Sequence, residues 1–532
     1  MPFCLASLSI KTYPVQGMMA LTVWKRVALA WGAGLLSALA FPPFNALFLL
    51  WLSFPVLALL LAQATRDREA FWIGWAFAFG QLLISFYWIA GALFVDIKAF
   101  WWVLPFALCG LPAFLSIYYG LFAIMARRWS GRGLDFLIVV ALGWFFADML
   151  RGHLLTGFPW DILGYVWADH LPMMQSVREL GVEGLSLLTA LLAVLPAGFF
   201  LKDMTRRQTF GAVIVAILLA TGLYGLGVIR LRQAPQEFVP DVMLRLVQPQ
   251  MDQVSKWDPQ QKARDLEKLI RLSIEPTQGV KPTHVLWPET ASAYYLAEEP
   301  EIRRMIAARL PKDAVLLTGS VRRQFDEAGE LRYYNSLIAM DARGTIVAGY
   351  DKHHLVPFGE YMPFADIIPL KLVSMMGKPF TAGEGVRTIR VPGLPPLSGL
   401  VCYEAIFQGG VVEAADRPAL LVNVTNDAWY KGTIGPAQHF LIARARAIEE
   451  GLPLVRIANQ GKTAVIDPYG RVVKAIGYDR AGFVDSPLPK AIEETGTSDP
   501  LWKRDVSWML VLLLLLSAGK IHYSRIATRR DS

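Results

Sequence analysis

Two patterns of hydrophobic positions divide the chain. In residues 24–231, long apolar runs alternate with short charged loops, and a run of about 20 residues is what a helix needs to span the hydrocarbon core of a bilayer. Residues 232–505 show instead short β-type runs that alternate with amphipathic segments. One more apolar run, 506–519, lies near the end of the chain. The pattern predicts an α-helical membrane domain, a water-exposed α/β domain and a last membrane helix.

The apolar runs predict about eight transmembrane helices. The last of them, 506–519, is short, because 14 residues at about 1.5 Å each cover roughly 21 Å of a core about 30 Å thick. Residues 1–23 are interpreted as an N-terminal extension, with Met18 or Met19 as alternative starts. The seven runs of the main membrane domain lie near 24–41, 44–64, 71–94, 99–126, 135–151, 182–201 and 209–229.

The loop charges predict which side of the membrane each domain faces. Fifteen Lys and Arg residues lie in the N-terminal segment, in alternate loops and in the C-terminal tail, against three in the intervening loops. Positive loops face the cytoplasm. The N-terminal extension and the tail after residue 519 are therefore expected in the cytoplasm, and the domain 232–505 outside it.

Composition agrees with a membrane protein and excludes some classes of function. Hydrophobic residues make up 54% of the chain and the mean hydropathy is +0.38. The net charge of +8 comes from the loops that flank the membrane, so no nucleic-acid partner is indicated. Of the three cysteines, Cys4, Cys109 and Cys402, only the last lies in the α/β domain, which therefore cannot form an internal disulfide.

Within 232–505 the pattern predicts a layered α/β sandwich. Asp258 followed by proline is a helix start, and a second helix is predicted from Pro436 to the stop at Gly451. Tight turns are predicted at 341–344 and 467–470. The candidate strands are 243–248, 284–287, 314–320, 334–340, 345–350, 399–402, 419–424, 454–458 and 463–466.

Three strand ends carry side chains that suit nucleophilic catalysis. Cys402 ends one apolar run, Glu289 follows Trp-Pro at the end of another, and Lys352 follows a third. A thiol, a carboxylate and an ammonium that meet at one sheet edge supply a nucleophile, a proton carrier and an oxyanion partner. Taken singly, each has an ordinary interpretation: a core cysteine, a loop carboxylate and a surface charge.

Metals and cofactors are not predicted. His353 and His354 are adjacent, and neighbours on an extended chain point to opposite faces. The sequence has no other Cys or His spacing typical of metal ligands, and no glycine-rich loop that would bind phosphate.

These motifs carry a resemblance that covers nearly the whole chain. The sequence resembles the Glu-Lys-Cys site of the nitrilase superfamily and, within it, the apolipoprotein N-acyltransferase family. The N-terminal extension and the short last span depart from the family pattern, and neither touches the site. The matching segments are Trp287–Thr290, Lys352–Tyr361, Val401–Glu404, Thr425–Trp429 and Gly435–Phe440, with Thr156–Trp160 and Gly164–Tyr165 in the membrane half.

The resemblance implies an αββα sandwich and a set of residue roles. Glu289 would be the general base, Lys352 the oxyanion stabiliser and Cys402 the nucleophile. The residues that would support the site are Glu360, Tyr403 and Glu404, and those that would contact substrate are Trp257, Asn335, Phe358, Met362, Met375 and Met376.

The resemblance also implies a reaction and a place. A fatty acyl chain would pass from a phospholipid, phosphatidylethanolamine at sn-1, through a thioester on Cys402 to the free α-amine of a diacylglyceryl-cysteine apolipoprotein. No cofactor would be needed. The protein would lie in the bacterial inner membrane, with residues 232–505 in the periplasm.

Other interpretations remain open at this point. The apolar stretch Tyr361–Phe380 is predicted to be a lid that dips into the membrane surface, and core packing is the alternative. A membrane-tethered amidase or nitrilase that acts on a small soluble substrate would explain the three residues as well. A non-catalytic scaffold or transporter is the alternative of another class, although Asp148 and Arg151 lie near the end of a span rather than at mid-depth.

Overall fold

The computed structural model describes residues 21–128, 131, 133–253, 255–277, 279–363, 378–493, 511, 512 and 515. The N-terminal part is helical. Residues 1–20 of the predicted N-terminal extension lie outside the described residues. Most of the predicted span 506–519 lies outside them as well. The α-helices of more than ten residues in this part are α1 (Val23–Ala38), α2 (Leu50–Gln63), α3 (Asp67–Phe86), α4 (Leu111–Arg128), α5 (Leu134–His153), α6 (Val177–Val194) and α7 (Arg206–Gln233).

Four helical stretches of the described chain are long and apolar enough to cross a membrane. They are Asp67–Val103, Phe106–Arg128, Val177–Phe199 and Arg206–Gln233, and Leu47–Gln63 is a shorter apolar stretch. Helix α7 exposes most of its apolar side chains, since only 11% of its most apolar stretch is buried. An apolar surface of this kind is stable in contact with lipid, so the helical part is that of a membrane protein.

The C-terminal part forms two six-stranded sheets. The first has the order β12-β1-β2-β3-β4-β5 and the second the order β11-β10-β9-β8-β7-β6. The strands are β1 (Phe238–Gln248), β2 (His284–Trp287), β3 (Val315–Phe325), β4 (Leu331–Met340), β5 (Ile346–Asp351), β6 (Thr388–Ile389), β7 (Leu397–Val401), β8 (Leu420–Thr425), β9 (Leu454–Ala458), β10 (Thr463–Ile466), β11 (Val472–Ile476) and β12 (Gly482–Pro489).

Successive side chains along each strand point to opposite faces of the sheet, and the domain therefore has four layers. On β2, Leu286 points into a core shared by both sheets, whereas Val285 and Trp287 point to the outer face. Helices α8 (Pro259–Ile274) and α9 (Pro300–Arg309) cover that outer face, and α10 (Gly435–Glu450) covers the outer face of the second sheet. The predicted αββα sandwich is confirmed.

The helix and turn signals of the sequence are found in the structure. Asp258 caps α8 by accepting hydrogen bonds from the backbone of Gln260 and Gln261, and Gly451 ends α10 in the left-handed region at φ +63°. The turn at Asp341 closes the β4–β5 hairpin. Strands β6, β11 and β12 and helix α9 were not predicted. Strand β6 has two residues and β11 has no alternating burial, so neither gives a periodic signal.

The α/β domain packs against the helices through α10 and the segment after β7. Ile442, Ala445 and Ile448 of α10 belong to the same buried cluster as the core of the helical part. Polar contacts fix the orientation: Trp160 Nε1 donates to Gln438 Oε1 at 2.9 Å, and the Gln438 amide donates to the Pro42 carbonyl at 3.1 Å. One face of α10 and the segment after β7 therefore belong to the core of the helical part.

Candidate active site

Cys402 lies where β7 turns sharply into a short 3₁₀ helix, Cys402–Ile406. Its φ of +53° is in the left-handed region, which residues with a side chain rarely adopt. Such a conformation persists only where its surroundings hold it. Here the Cys402 carbonyl accepts a hydrogen bond from Asn423 Nδ2 at 3.4 Å and lies 3.2 Å from His439 Nε2.

The thiol of Cys402 is buried and meets few polar groups. Thr425 Oγ1 donates to its sulfur at 3.3 Å. Burial raises the pKa of Cys402 to about 12, and the charge of Glu289 adds to the rise while Lys352 opposes it. Because the thiol is therefore protonated near neutral pH, it needs a base before it can act as a nucleophile.

Glu289 is a buried carboxylate that interacts with this thiol. Pro288 ends β2, and Gly319 of β3 lets the Glu289 backbone come close, since a Cβ there would lie 2.5 Å from the Glu289 Cα. Asn335 donates to Oε1 of Glu289, and Oε2 has no hydrogen-bond partner among the described residues. Burial raises the pKa of Glu289, while the charge of Lys352 and an interaction between the carboxylate and the Cys402 thiol oppose the rise.

Lys352 and Glu360 form a buried ion pair next to Glu289. Lys352 Nζ lies 2.7 Å from Glu360 Oε2. Burial alone would lower the pKa of Lys352, but the charges of Glu360, Cys402 and Glu289 outweigh it and raise the pKa. The ammonium therefore stays charged inside the domain, as an oxyanion partner must.

Asn335 joins the two carboxylates. Its Nδ2 donates to Glu289 Oε1 at 2.8 Å and to Glu360 Oε1 at 3.0 Å, and its backbone carbonyl accepts from the Lys352 backbone N–H at 2.8 Å. The sequence analysis assigned Asn335 to substrate contact. The structure places it between the acidic residues, where it separates two negative charges and fixes their orientation.

Glu404 holds the loop that follows Lys352 and does not bond to the ammonium itself. Its Oε1 accepts from the backbone N–H groups of His353 and His354, at 2.9 and 3.1 Å, and from the Tyr350 hydroxyl at 2.7 Å. Burial would raise the pKa of Glu404, but the hydrogen bond and charge of His353 outweigh it and lower the pKa. An ionised Glu404 thus ties the cysteine helix to the lysine loop.

Sequence reasoning missed a polar cluster behind the cysteine. Asp427 Oδ2 accepts from Arg456 Nη2 at 3.0 Å, and Asp427 Oδ1 lies 2.9 Å from His439 Nδ1. Burial would raise the pKa of Asp427, but Arg456 and His439 lower it to about 2. Asp427 and His439 lie in motifs that carried the resemblance, and that was the only signal that could have marked them.

Tyr403 connects the site to the membrane helices. Its hydroxyl donates to the Gly157 carbonyl at 3.0 Å, and its ring stacks on Phe158 with centroids 6.3 Å apart. His354 Nε2 lies 2.8 Å from the Thr156 carbonyl oxygen. The loop 156–158 therefore contacts both the cysteine helix and the lysine loop.

The other predicted substrate contacts are partly exposed or lie outside the described residues. Trp257 is half-buried, with its ring 6.4 Å from that of Tyr295. Phe358 is 47% exposed with φ at +64°, and Met362 is half-buried. Met375 and Met376 are outside the described residues, as is most of the predicted lid. Within the described ranges, no cluster of three or more His, Cys, Asp or Glu is suited to a metal ion.

Both halves of the sequence match known families. Residues 33–195 match the family model of the apolipoprotein N-acyltransferase N-terminal domain, and residues 243–491 match that of carbon-nitrogen hydrolase. An apolipoprotein N-acyltransferase of Rhodopseudomonas palustris is 39% identical over 490 residues, which cover 89% of this chain and 91% of the relative. One of Brucella melitensis is 38% identical over 525 residues, covering 94% of this chain and 97% of the relative.

A solved structure matches part of this chain. A mutant of an amidase from Nesterenkonia sp. AN1, with the acetamide moiety of fluoroacetamide added covalently at its active-site cysteine, matches 48% of this chain and 94% of its own. The two sequences are 20% identical there, and the TM-score is 0.33.

Proposed function

Because this chain belongs to the apolipoprotein N-acyltransferase family and is therefore a membrane enzyme that N-acylates lipoproteins, we propose that it transfers the acyl chain through a thioester on Cys402. The observation that carries the proposal is the position of Cys402. Its thiol interacts with the carboxylate of Glu289, and Asn335 links that carboxylate to the Lys352–Glu360 ion pair.

In the first half-reaction Glu289 takes the proton of the Cys402 thiol, and the sulfur attacks an ester carbonyl of the donor lipid. The Lys352 ammonium and a backbone N–H at the start of the 3₁₀ helix stabilise the oxyanion. Loss of one such donor typically costs about 10²–10³ in rate. The tetrahedral adduct collapses as Glu289 returns the proton to the departing glycerol oxygen, which leaves a thioester and a lysolipid.

In the second half-reaction the free α-amine of the acceptor attacks the thioester carbonyl. Glu289 takes a proton from the attacking amine and delivers it to the departing sulfur, so the thiol is regenerated and an amide is formed. Ester becomes amide without an external energy source. We propose phosphatidylethanolamine, at sn-1, as the donor and a diacylglyceryl-cysteine apolipoprotein as the acceptor.

The membrane helices fit a reaction between lipids. Withdrawing a lipid from a bilayer costs about 0.8 kcal/mol for each CH₂ group, so the site must open where both substrates lie. The contacts of Tyr403 and His354 with the loop 156–158 support a site at the junction between the helices and the α/β domain. We propose that residues 232–505 lie on the periplasmic side of the bacterial inner membrane, with both termini in the cytoplasm.

Mass spectrometry of the purified full-length protein tests the thioester. Protein incubated with phosphatidylethanolamine alone should gain one acyl group on Cys402, and Cys402→Ala should gain none. A diacylated peptide with a free α-amine should then remove the adduct, whereas the same peptide with an acetylated α-amine should not. An adduct removed equally fast by water alone would indicate a hydrolase and contradict transfer.

A further inference from the structure

Lys256 is a second buried amine near the site, and it has no part in the reaction described above. It lies between β1 and α8 and is 2% exposed. Its Nζ has no hydrogen-bond partner among the described residues. A buried lysine without a direct partner is costly to keep charged, and burial lowers the pKa of Lys256 to about 8.

Two carboxylates keep this amine charged near neutral pH. Glu289 and Asp265 both attract it and raise the pKa of Lys256 against the effect of burial. Asp265 accepts from Gln261 Nε2 at 2.8 Å through Oδ1, and its Oδ2 has no partner in the described part of the chain. Asp265 is also influenced by Lys268 and Asp252. The ammonium is therefore linked to the active site by its attraction to Glu289.

The charges around Glu289 show what Lys256 contributes. Glu289 faces Lys352, Glu360 and the Cys402 thiol, and Asn335 donates to it. Glu289, Glu360 and Lys352 together carry a net charge of −1 when all are ionised. The ammonium of Lys256 adds a positive charge beside this group, and without it the Glu289 carboxylate holds its proton more readily.

We propose that Lys256 is a positioning residue of the acyltransferase site, whose buried ammonium holds Glu289 ionised so that this carboxylate can accept the proton of Cys402. The inference rests on the proposed role of Glu289 as base. Lys256 itself neither gains nor loses a proton in the step: the S–H bond of Cys402 breaks and an O–H bond forms on Glu289.

The pH dependence of Cys402 reactivity tests this. Full-length protein in which Cys4 and Cys109 are replaced by Ala is treated with iodoacetamide across about pH 4–9, and single-turnover acylation by phospholipid is followed over the same range. In Lys256→Met the acid limb of both profiles should move to higher pH by about one unit, with a less than about threefold change on the plateau. Lys256→Arg, which retains the charge, should keep the limb near its original position.

Controls separate this role from a structural one. Lys312→Met removes the same charge from an exposed position and should leave both profiles unchanged. An unmoved limb in Lys256→Met, or an equal displacement in Lys256→Arg, would overturn the proposal. Failure of both Lys256→Met and Lys256→Gln to fold would also overturn it, because the amine would then be needed for folding. If the parent protein shows no Cys402-dependent reaction at all, the proposed function fails instead.

Discussion

The ammonium of Lys352 lies 2.7 Å from the carboxylate of Glu360, and both side chains are buried. Burial of two charges is costly unless each has a partner with good geometry. Glu360 also accepts from the Val356 backbone N–H at 2.7 Å, which fixes the carboxylate in the loop that follows Lys352. Glu360 is thus a fixed counter-ion that keeps the Lys352 ammonium charged.

The Glu360→Gln variant should lower the rate of Cys402 acylation by about 10²-fold, the size of effect expected when an oxyanion donor is weakened. Glu360 raises the pKa of Lys352 and of Glu289. Both pKa values should therefore fall in the variant, so the acid limb and the alkaline limb of the pH–rate profile should both move to lower pH.

Glu384→Gln is the matched control for that experiment. Glu384 is 91% exposed and its nearest cation, Arg387, is 3.7 Å away. The substitution removes the same charge, and we expect an unchanged profile. If Glu360→Gln lowers the rate but leaves both limbs in place, Glu360 would act through the shape of the loop rather than through its charge.

Much of this arrangement could be predicted because its signals are local. Pro288 cannot continue a central strand, so it marks the end of β2 and places Glu289 at the sheet edge. The ends of β5 and β7 likewise place Lys352 and Cys402, and an apolar run marks each strand. The sequence analysis assigned the three side chains to one edge of a single sheet. In the structure Glu289 and Lys352 follow strands of the first sheet and Cys402 follows a strand of the second, because the pairing of strands into sheets depends on long-range contacts.

The supporting residues could not be predicted in the same way, because their contacts depend on long-range register. Arg456 lies on β9 and reaches Asp427 only because β8 and β9 pair in parallel with Thr425 opposite Ala458. Asn335 lies inside β4, and nothing in its neighbours shows that it faces two carboxylates. Lys256 resembles any loop lysine until the packing around it is known.

Asn335→Asp tests whether Asn335 separates the carboxylates. The substitution keeps the shape but replaces a donor with a third negative charge, and like charges in one site raise the pKa of the carboxyl groups. The acid limb should move to higher pH, and acylation at pH 7 should fall by about 10- to 100-fold. The rate should be measured as the first turnover with phospholipid.

Asn335→Ala is the informative comparison. It removes the two hydrogen bonds without adding charge, so its acid limb should move upward by less than that of the Asp variant. Equal shifts in the two variants would show that the lost donor, and not the added charge, controls the ionisation of Glu289.

Asp427→Asn should lower the stability of the protein as well as the rate of its reaction. Arg456 and Asp427 are fully buried, and removing one partner of a buried pair typically costs about 3–5 kcal/mol. Asp416→Asn is the control, because its pair with Arg390 is largely exposed and exposed pairs contribute about 0–1 kcal/mol. Thermal unfolding in detergent should show a clear fall for the first variant and almost none for the second.

The same aspartate predicts how stability depends on pH. The pKa of Asp427 is about 2 in the folded protein and near 3.8 when unperturbed. A carboxyl group whose folded pKa is depressed contributes its full stabilisation above the unfolded pKa, and the contribution is lost as pH falls towards the folded value. Between pH 3.8 and about 2 the parent protein should therefore lose stability faster than Asp427→Asn does. Parallel curves would exclude Asp427 as the group that titrates.

Tyr403→Phe tests whether the membrane helices position the cysteine. The hydroxyl of Tyr403 donates to the Gly157 carbonyl, and a buried acceptor that loses its donor costs about 1–3 kcal/mol. Burial raises the pKa of Tyr403, so its hydroxyl stays protonated across the measured range. Both half-reactions should therefore slow by a similar factor of about 10, which corresponds to about 1.4 kcal/mol, while the limbs of the pH profile stay in place. Tyr224→Phe, on the lipid-exposed face of α7, should change neither stability nor rate. If only the second half-reaction slowed in Tyr403→Phe, the hydroxyl would instead contact the incoming acceptor, and the packing of Tyr403 against the loop 156–158 would not be what aligns the thiol.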